Sequence, residues 1–152
     1  MNNGILPVRE PVEVMCHGDF APYNVVLSGE QAIAMIDFDT AHPGPRVWDI
    51  AYSLYRFAPL TDPKNWDGFG SGQEKIARSC LFCDAYGLPK KQREGLIELV
   101  IERLQTMVNF MHASADAGNE AFQANIADGH HLLYLGDIEF LSANHERFQA
   151  GL

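Results

Sequence analysis

Apolar and polar positions divide the chain into an early segment with strand-like patterning and a longer segment with helical patterning. Short runs rich in apolar and β-branched residues predict strands over 12–15, 24–27 and 32–36. The turn residues 28–31 (SGEQ) lie between the second and third runs and predict an antiparallel hairpin. The following 42–45 (HPGP) predicts a loop, in which proline starts the next element.

The rest of the chain carries apolar residues at helical spacing. This period predicts helices over 46–57, 71–86, 89–117 and 120–148. Ser71, with Glu74 three residues later, predicts a capping box at the start of the second helix. The predicted fold class is therefore α+β and mostly helical, with a small hairpin and about four helices. At 152 residues, we expect a single domain over 1–152, with chemistry in 1–58 and a helical part in 59–152.

Composition excludes several classes of function. Apolar residues make up 47% of the chain and charged residues 20%, as in an ordinary soluble globule. A net charge of −9 repels phosphate backbones, so we expect no nucleic-acid partner. No apolar run is long enough to span a membrane, and three cysteines fit a reducing compartment, so we expect a cytoplasmic protein. We interpret Cys80 and Cys83 as buried helical thiols.

Three oxygen-bearing side chains flank the predicted hairpin. Asp19 and Asn24 lie in the stretch CHGDFAPYN before and at its first strand, and Asp37 follows its second strand. An antiparallel pair brings the start of the first strand beside the end of the second. We therefore expect these carboxylate and amide oxygens to converge, in a set that suits Mg²⁺.

The ordered series H-G-D-x-x-x-x-N, hairpin, I-D-F-D and W-D-I-A, over about residues 14–58, resembles the catalytic half of the aminoglycoside phosphotransferase family. That family is part of the protein-kinase-like superfamily. The resemblance implies the C-terminal lobe of that fold. It also implies an ATP- and Mg²⁺-dependent transferase that moves the γ-phosphate to the hydroxyl of a small molecule.

The resemblance also assigns roles residue by residue. Asp19 would be the catalytic base, and Asn24 with Asp37 would hold Mg²⁺ against the phosphates. His17 and Asp49 would support the catalytic loop structurally.

One further acid and one missing feature complete the comparison with the family. Asp39 lies two residues beyond the metal acid, and the resemblance fixes no definite role for it. Residues 1–11 are too short for the N-terminal nucleotide lobe, so we expect a truncated or split enzyme without its nucleotide clamp, weakly active or inactive alone. The glycine-rich 68–72 is interpreted as a linker and helix cap.

Two alternatives stay open. The first is a non-catalytic interaction or dimerisation module that retains the motif, with a homodimer or a missing N-terminal lobe as the partner. The second is a metal-dependent hydrolase that uses His17, Asp19, Asp37 and His42. The resemblance implies a small hydroxyl compound as the acceptor, and a cationic acceptor stays open.

Several other residues receive structural interpretations. Trp48 and Trp66 are taken as packing residues, and the adjacent His130 and His131 as a poor chelate. The acids of the later helices are taken as a solvated face, with contact to a cationic acceptor as the alternative. These acids are Glu102, Asp116, Glu120, Asp128, Asp137 and Glu139.

Overall fold

The computed structural model describes residues 6–66 and 68–152. Its strands are β1 (Val14–Cys16), β2 (Val25–Ser28), β3 (Gln31–Met35) and β4 (His42–Gly44). Its helices are α1 (Arg46–Phe57), α2 (Gly72–Tyr86), α3 (Leu96–Asp116), α4 (Glu120–Ala127), α5 (His130–Ala143) and α6 (His145–Ala150). Short 3-10 turns lie at Pro22–Asn24 and Lys90–Gln92. The prediction of an α+β, mostly helical chain is confirmed.

Two small antiparallel sheets form the β part. The predicted hairpin is confirmed: β2 pairs with β3, with Val25 opposite Met35. The predicted loop at 42–45 is wrong in part, because His42–Gly44 forms β4 and pairs with β1. Pro43 is tolerated there because a two-stranded sheet has only edge strands, where a missing N–H need not break a ladder.

The core forms around the long helix α3, which contacts α1, α4, α5 and α6. Leu54 of α1 and Leu104 of α3 are fully buried in it, and Phe148 of α6 is almost so. The helix predicted over 46–57 is confirmed as α1. Within the described ranges, no helix is long and apolar enough to cross a membrane.

The boundaries of the later helices differ from the predictions. α3 begins at Leu96 rather than Pro89, after a 3-10 turn. The single helix predicted over 120–148 is three helices, α4, α5 and α6. Gly129 adopts φ 79° between α4 and α5, and this left-handed conformation is a common way for a helix to end. Gly129 therefore separates two helices where the sequence pattern predicted one.

The start of α2 follows its local sequence closely. Ser71 and Glu74 form the predicted capping box, with reciprocal side-chain to backbone hydrogen bonds. The helix ends at Gly87 in the left-handed conformation. Of the two thiols predicted to be buried, Cys83 is buried, whereas Cys80 is half-buried and its Sγ donates to the Gly151 carbonyl.

A buried carboxylate holds the connection between α1 and α2. Asp137 of α5 is fully buried, so its interpretation as part of a solvated face is wrong. Its oxygens accept hydrogen bonds from the Tyr55 hydroxyl at 2.6 Å, the Asp62 backbone N–H at 2.6 Å and Asn65 Nδ2 at 3.1 Å. A buried carboxylate needs such donors, because an unpaired charge in the interior is costly.

Replacing Asp137 should therefore destabilise the whole chain. Asp137→Ala leaves three donors without their acceptor, and we expect a loss of about 3 kcal/mol in the free energy of unfolding. Urea denaturation measures it. The matched control is Glu139→Ala, which removes an exposed acid from the same helix and should change stability by less than about 0.5 kcal/mol. Equal losses in the two variants would contradict the assigned role of Asp137.

Candidate active site

The loop between β1 and β2 is attached to the first turn of α1 through one carboxylate. Asp49 Oδ2 accepts from the His17 backbone N–H at 2.9 Å, and its Oδ1 accepts from the Gly18 N–H at 3.0 Å. Each oxygen satisfies one backbone donor of a segment that has no regular secondary structure. The position of the loop is therefore fixed relative to α1.

A buried arginine holds the same loop from α3. Arg103 is only 1% exposed, and its Nη2 donates to the Gly18 carbonyl oxygen at 2.5 Å. Its guanidinium faces the rings of Trp48, at 5.4 Å, and Tyr52, at 4.9 Å. Burial lowers the pKa of Arg103, although arginine remains protonated in proteins. Sequence analysis missed Arg103. The signal that could have found it is its position, because a basic residue stands there among the apolar residues that α3 buries.

The backbone around Gly18 permits a close approach of two chain segments. Gly18 has φ +83°, and a Cβ there would collide with the Thr40 carbonyl oxygen. The ring of His17 donates from Nε2 to the Ile36 carbonyl at 3.0 Å and accepts at Nδ1 from the Asp19 N–H at 3.3 Å. This pattern assigns the tautomer and connects the loop to the segment after β3.

Asp19 lies at the centre of a small hydrogen-bonded group. Its Oδ1 accepts from the Tyr23 hydroxyl at 2.7 Å. Asn24 Nδ2 donates to the backbone oxygen of Asp19 at 2.8 Å and to its Oδ2 at 3.1 Å. Burial raises the pKa of Tyr23, so its hydroxyl stays protonated and can donate at neutral pH. Among the described residues, nothing donates a hydrogen bond to Asn24 Oδ1.

Asp37 lies next to this group in an unusual backbone conformation. The Ile36 N–H donates to the Asn24 carbonyl at 3.1 Å, which places Asp37 one residue beyond that contact. Asp37 has φ 65°, the one positive value at a described non-glycine residue. Such a conformation costs about 1 kcal/mol or more and tends to occur at functional sites. Its side chain and that of Asp39 are exposed and make no hydrogen bond or ion pair within the described residues.

These donors determine how a metal ion could be held. In residues 6–66 and 68–152, no three or more His, Cys, Asp and Glu side chains are grouped so as to hold a metal. The available set is an amide oxygen at Asn24 and a carboxylate at Asp37. Mg²⁺ fits such a set, because it commonly takes one or two protein oxygens and completes its shell with phosphates and water.

The hydrolase alternative finds no support in this geometry. His42 is 1% exposed and its Nδ1 donates to the Thr40 carbonyl at 2.9 Å, on the strand paired with β1. Burial lowers the pKa of His42, which keeps the ring neutral. The described residues do not bring His42 and the acids into a metal-binding group.

Comparison with known proteins finds two similarities. Residues 5–77, which contain the loop, the hairpin and α1, match the model of the phosphotransferase enzyme family. Over this segment, just under half of the chain, the sequence is similar to that family. It is also 30% identical over 94 residues to the Trifolitoxin immunity protein of Rhizobium leguminosarum bv. trifolii, over 60% of this chain and 36% of that protein. The chain thus spans about a third of that relative. No solved structure matches the chain.

A cavity of about 360 Å³ opens beside Asp19. Most of its lining is aromatic or apolar and comes from the loop, from α1 and from α3 to α5. The interpretation of both tryptophans as packing residues holds for Trp48, which is 2% exposed. It is wrong for Trp66, which is 82% exposed and lines the cavity.

The attachment of the loop to Asp49 can be measured directly. Asp49→Asn keeps the shape but leaves only one acceptor for two backbone donors, so we expect a loss of about 2 kcal/mol in the free energy of unfolding. Amide hydrogen exchange at His17 and Gly18 should become faster than in the wild type. Asp116→Asn, which removes an exposed carboxylate from α3, is the control. Unchanged exchange in Asp49→Asn would show that the carboxylate does not hold the loop.

Proposed function

We propose that this chain is the C-terminal lobe of an ATP-dependent small-molecule phosphotransferase, folded as one unit over 1–152. One observation carries the proposal: Asp19, oriented by Tyr23 and Asn24, lines a cavity large enough for a small molecule. The mostly helical architecture with two small sheets supports the C-lobe assignment. The family match supports the reaction class.

The residues suggest a division of labour. Asp19 would accept the proton of the acceptor hydroxyl while that oxygen bonds to the γ-phosphorus and the bond to ADP breaks. Asn24 Oδ1 and Asp37 would hold Mg²⁺, and bound MgATP would supply the phosphoryl group and neutralise its charge. Phosphoryl transfer depends mainly on positioning and electrostatic stabilisation. His17 and Asp49 would contribute by fixing the loop that carries Asp19.

Replacing the proposed metal ligand should remove the response to nucleotide. With millimolar MgATP, we expect the wild-type melting temperature to rise, because a ligand that binds only the folded state stabilises it. Asp37→Ala should abolish this rise, and Asp128→Ala, at an exposed acid outside the site, should keep it. The measurement is a thermal melt with and without MgATP, in parallel with phosphate transfer. A wild-type melt that MgATP leaves unchanged would refute the nucleotide site of this chain.

A second candidate function, a dimerisation module that retains the motif, is favoured by one surface feature. Several large apolar side chains on and around the hairpin are about half exposed or more. These are Met15, Leu27, Ile33, Met35, Ile36 and Phe38. A cluster of exposed apolar side chains marks an interaction site in many proteins. The name of the Rhizobium relative refers to toxin immunity, which either modification or binding of a toxin could provide.

Sedimentation velocity tests this second function. If the hairpin is a self-association surface, the wild type should sediment as a dimer, and the variant Ile33→Glu with Met35→Glu should be a monomer. Both side chains are at least half exposed on β3, at 59% for Ile33 and 50% for Met35. Leu81→Glu, at a 68% exposed position on α2, is the control and should remain dimeric. A monomeric wild type over the whole concentration range would refute this function.

A further inference from the structure

The lining of the cavity beside Asp19 carries information about the acceptor. Its described lining is formed by rings and aliphatic groups around a few polar side chains. The aromatic and apolar members that are at least partly exposed are Tyr23, Trp66, Phe122, Leu133 and Tyr134. The polar members are Asp19, Thr40, Arg56, Asn65, Asn125 and His130. Such a surface favours ligands that bury apolar area.

The accessible aromatic surface of the cavity comes from Tyr23 and Trp66. Tyr52 and Tyr55 also line it, but each is only 1% exposed, and the Tyr55 hydroxyl donates to the buried Asp137. Tyr23 is 54% exposed and its hydroxyl donates to Asp19, and Trp66 is 82% exposed. A planar ligand can therefore stack on the rings of Tyr23 and Trp66.

The charges around the cavity disfavour a polycation. Asp19 is the one carboxylate among the described lining residues, and its two oxygens already accept hydrogen bonds. The lining also includes the guanidinium of Arg56, which lies over the rings of Tyr23 at 5.3 Å and Tyr55 at 5.4 Å. A multiply charged amine would find a single carboxylate in this described lining, and that carboxylate already accepts two hydrogen bonds.

The acids that could have served a cationic acceptor lie elsewhere. Asp137 is buried beneath the cavity wall and is bonded to protein donors. Glu102 pairs with Arg9 at 2.6 Å. The remaining acids of the later helices, which are Asp116, Glu120, Asp128 and Glu139, are exposed and do not line the cavity.

We propose that the acceptor is a hydroxyl compound with an aromatic or extended apolar body and no multiple positive charge, bound with its rings against Tyr23 and Trp66 and its hydroxyl toward Asp19. The hydroxyl group of this acceptor rests on the proposed function, whereas its apolar body is inferred from the cavity alone. This class of acceptor differs from the cationic compounds that the negative net charge of the chain would tolerate.

Binding to the full chain, without nucleotide, tests the apolar body. The probes are 2-naphthalenemethanol, a neutral aromatic alcohol, and tobramycin, a polycation rich in hydroxyl groups. We expect the aromatic alcohol to bind and to quench tryptophan fluorescence, and tobramycin to show no binding at the same concentrations. The quenching should be lost in Trp66→Phe, because the other tryptophan, Trp48, is buried in the core. Tighter binding of tobramycin, or no binding of the aromatic alcohol, would overturn the proposal.

Two adjacent leucines on α5 provide a matched pair of variants. Leu133 lines the cavity, whereas Leu132, 60% exposed, does not. Leu133→Asp should weaken binding of 2-naphthalenemethanol by about tenfold or more, because it places a charge against the apolar ligand. Leu132→Asp should leave it within about twofold, since a substitution away from the cavity changes little. The intrinsic helix cost of aspartate is the same for both. Equal weakening in the two variants would overturn the proposed site.

The same proteins separate this inference from the proposed function. Transfer of phosphate from MgATP is measured with each probe as acceptor. If the aromatic alcohol binds in the cavity but receives no phosphate, the proposed function fails for this chain while the cavity assignment stands. If tobramycin is phosphorylated and the aromatic alcohol is neither bound nor phosphorylated, the acceptor class fails and the phosphotransferase function stands.

Discussion

The site depends on a short loop held between a carboxylate on α1 and a guanidinium on α3. Asp49 accepts from two successive backbone N–H groups of this loop, and Arg103 donates to the carbonyl of Gly18. The two side chains act on opposite polar groups of the same peptide segment. Because α1 and α3 pack together in the core, the loop takes its position from helix packing rather than from its own conformational preference.

The rest of the candidate site is connected by hydrogen bonds to the loop that Asp49 and Arg103 hold. The ring of His17 bonds to the Ile36 carbonyl, and the Ile36 N–H bonds to the Asn24 carbonyl. These contacts attach the end of β3, and with it Asp37, to the loop that carries Asp19. A change at Asp49 or Arg103 would therefore reach Asp19 and the proposed metal ligands together, and coupled groups of this kind rarely behave additively.

Where sequence analysis went wrong, the cause was burial that depends on distant partners. Asp137 follows the pattern of a surface acid, yet its donors Tyr55 and Asp62 precede it by 82 and 75 residues. Trp66 is a large aromatic residue of the kind that often packs in a core. It lies exposed instead, at the mouth of a cavity formed by several helices. Neither outcome can be inferred from local spacing, because both depend on which surfaces meet after the helices pack.

The sequence by itself determined the features decided within a few residues. These include the β2–β3 hairpin, helix α1 and the capping box at Ser71, whose interactions span no more than a turn or a tight loop. It also specified the order of the motif that marks the family. The tertiary structure alone decided two features. These are the contact between Arg103 and Gly18, which are 85 residues apart in the chain, and the aromatic cavity beside Asp19. The physical reason is that such contacts form only when separate helices share one core, and no local pattern encodes which of their faces will meet.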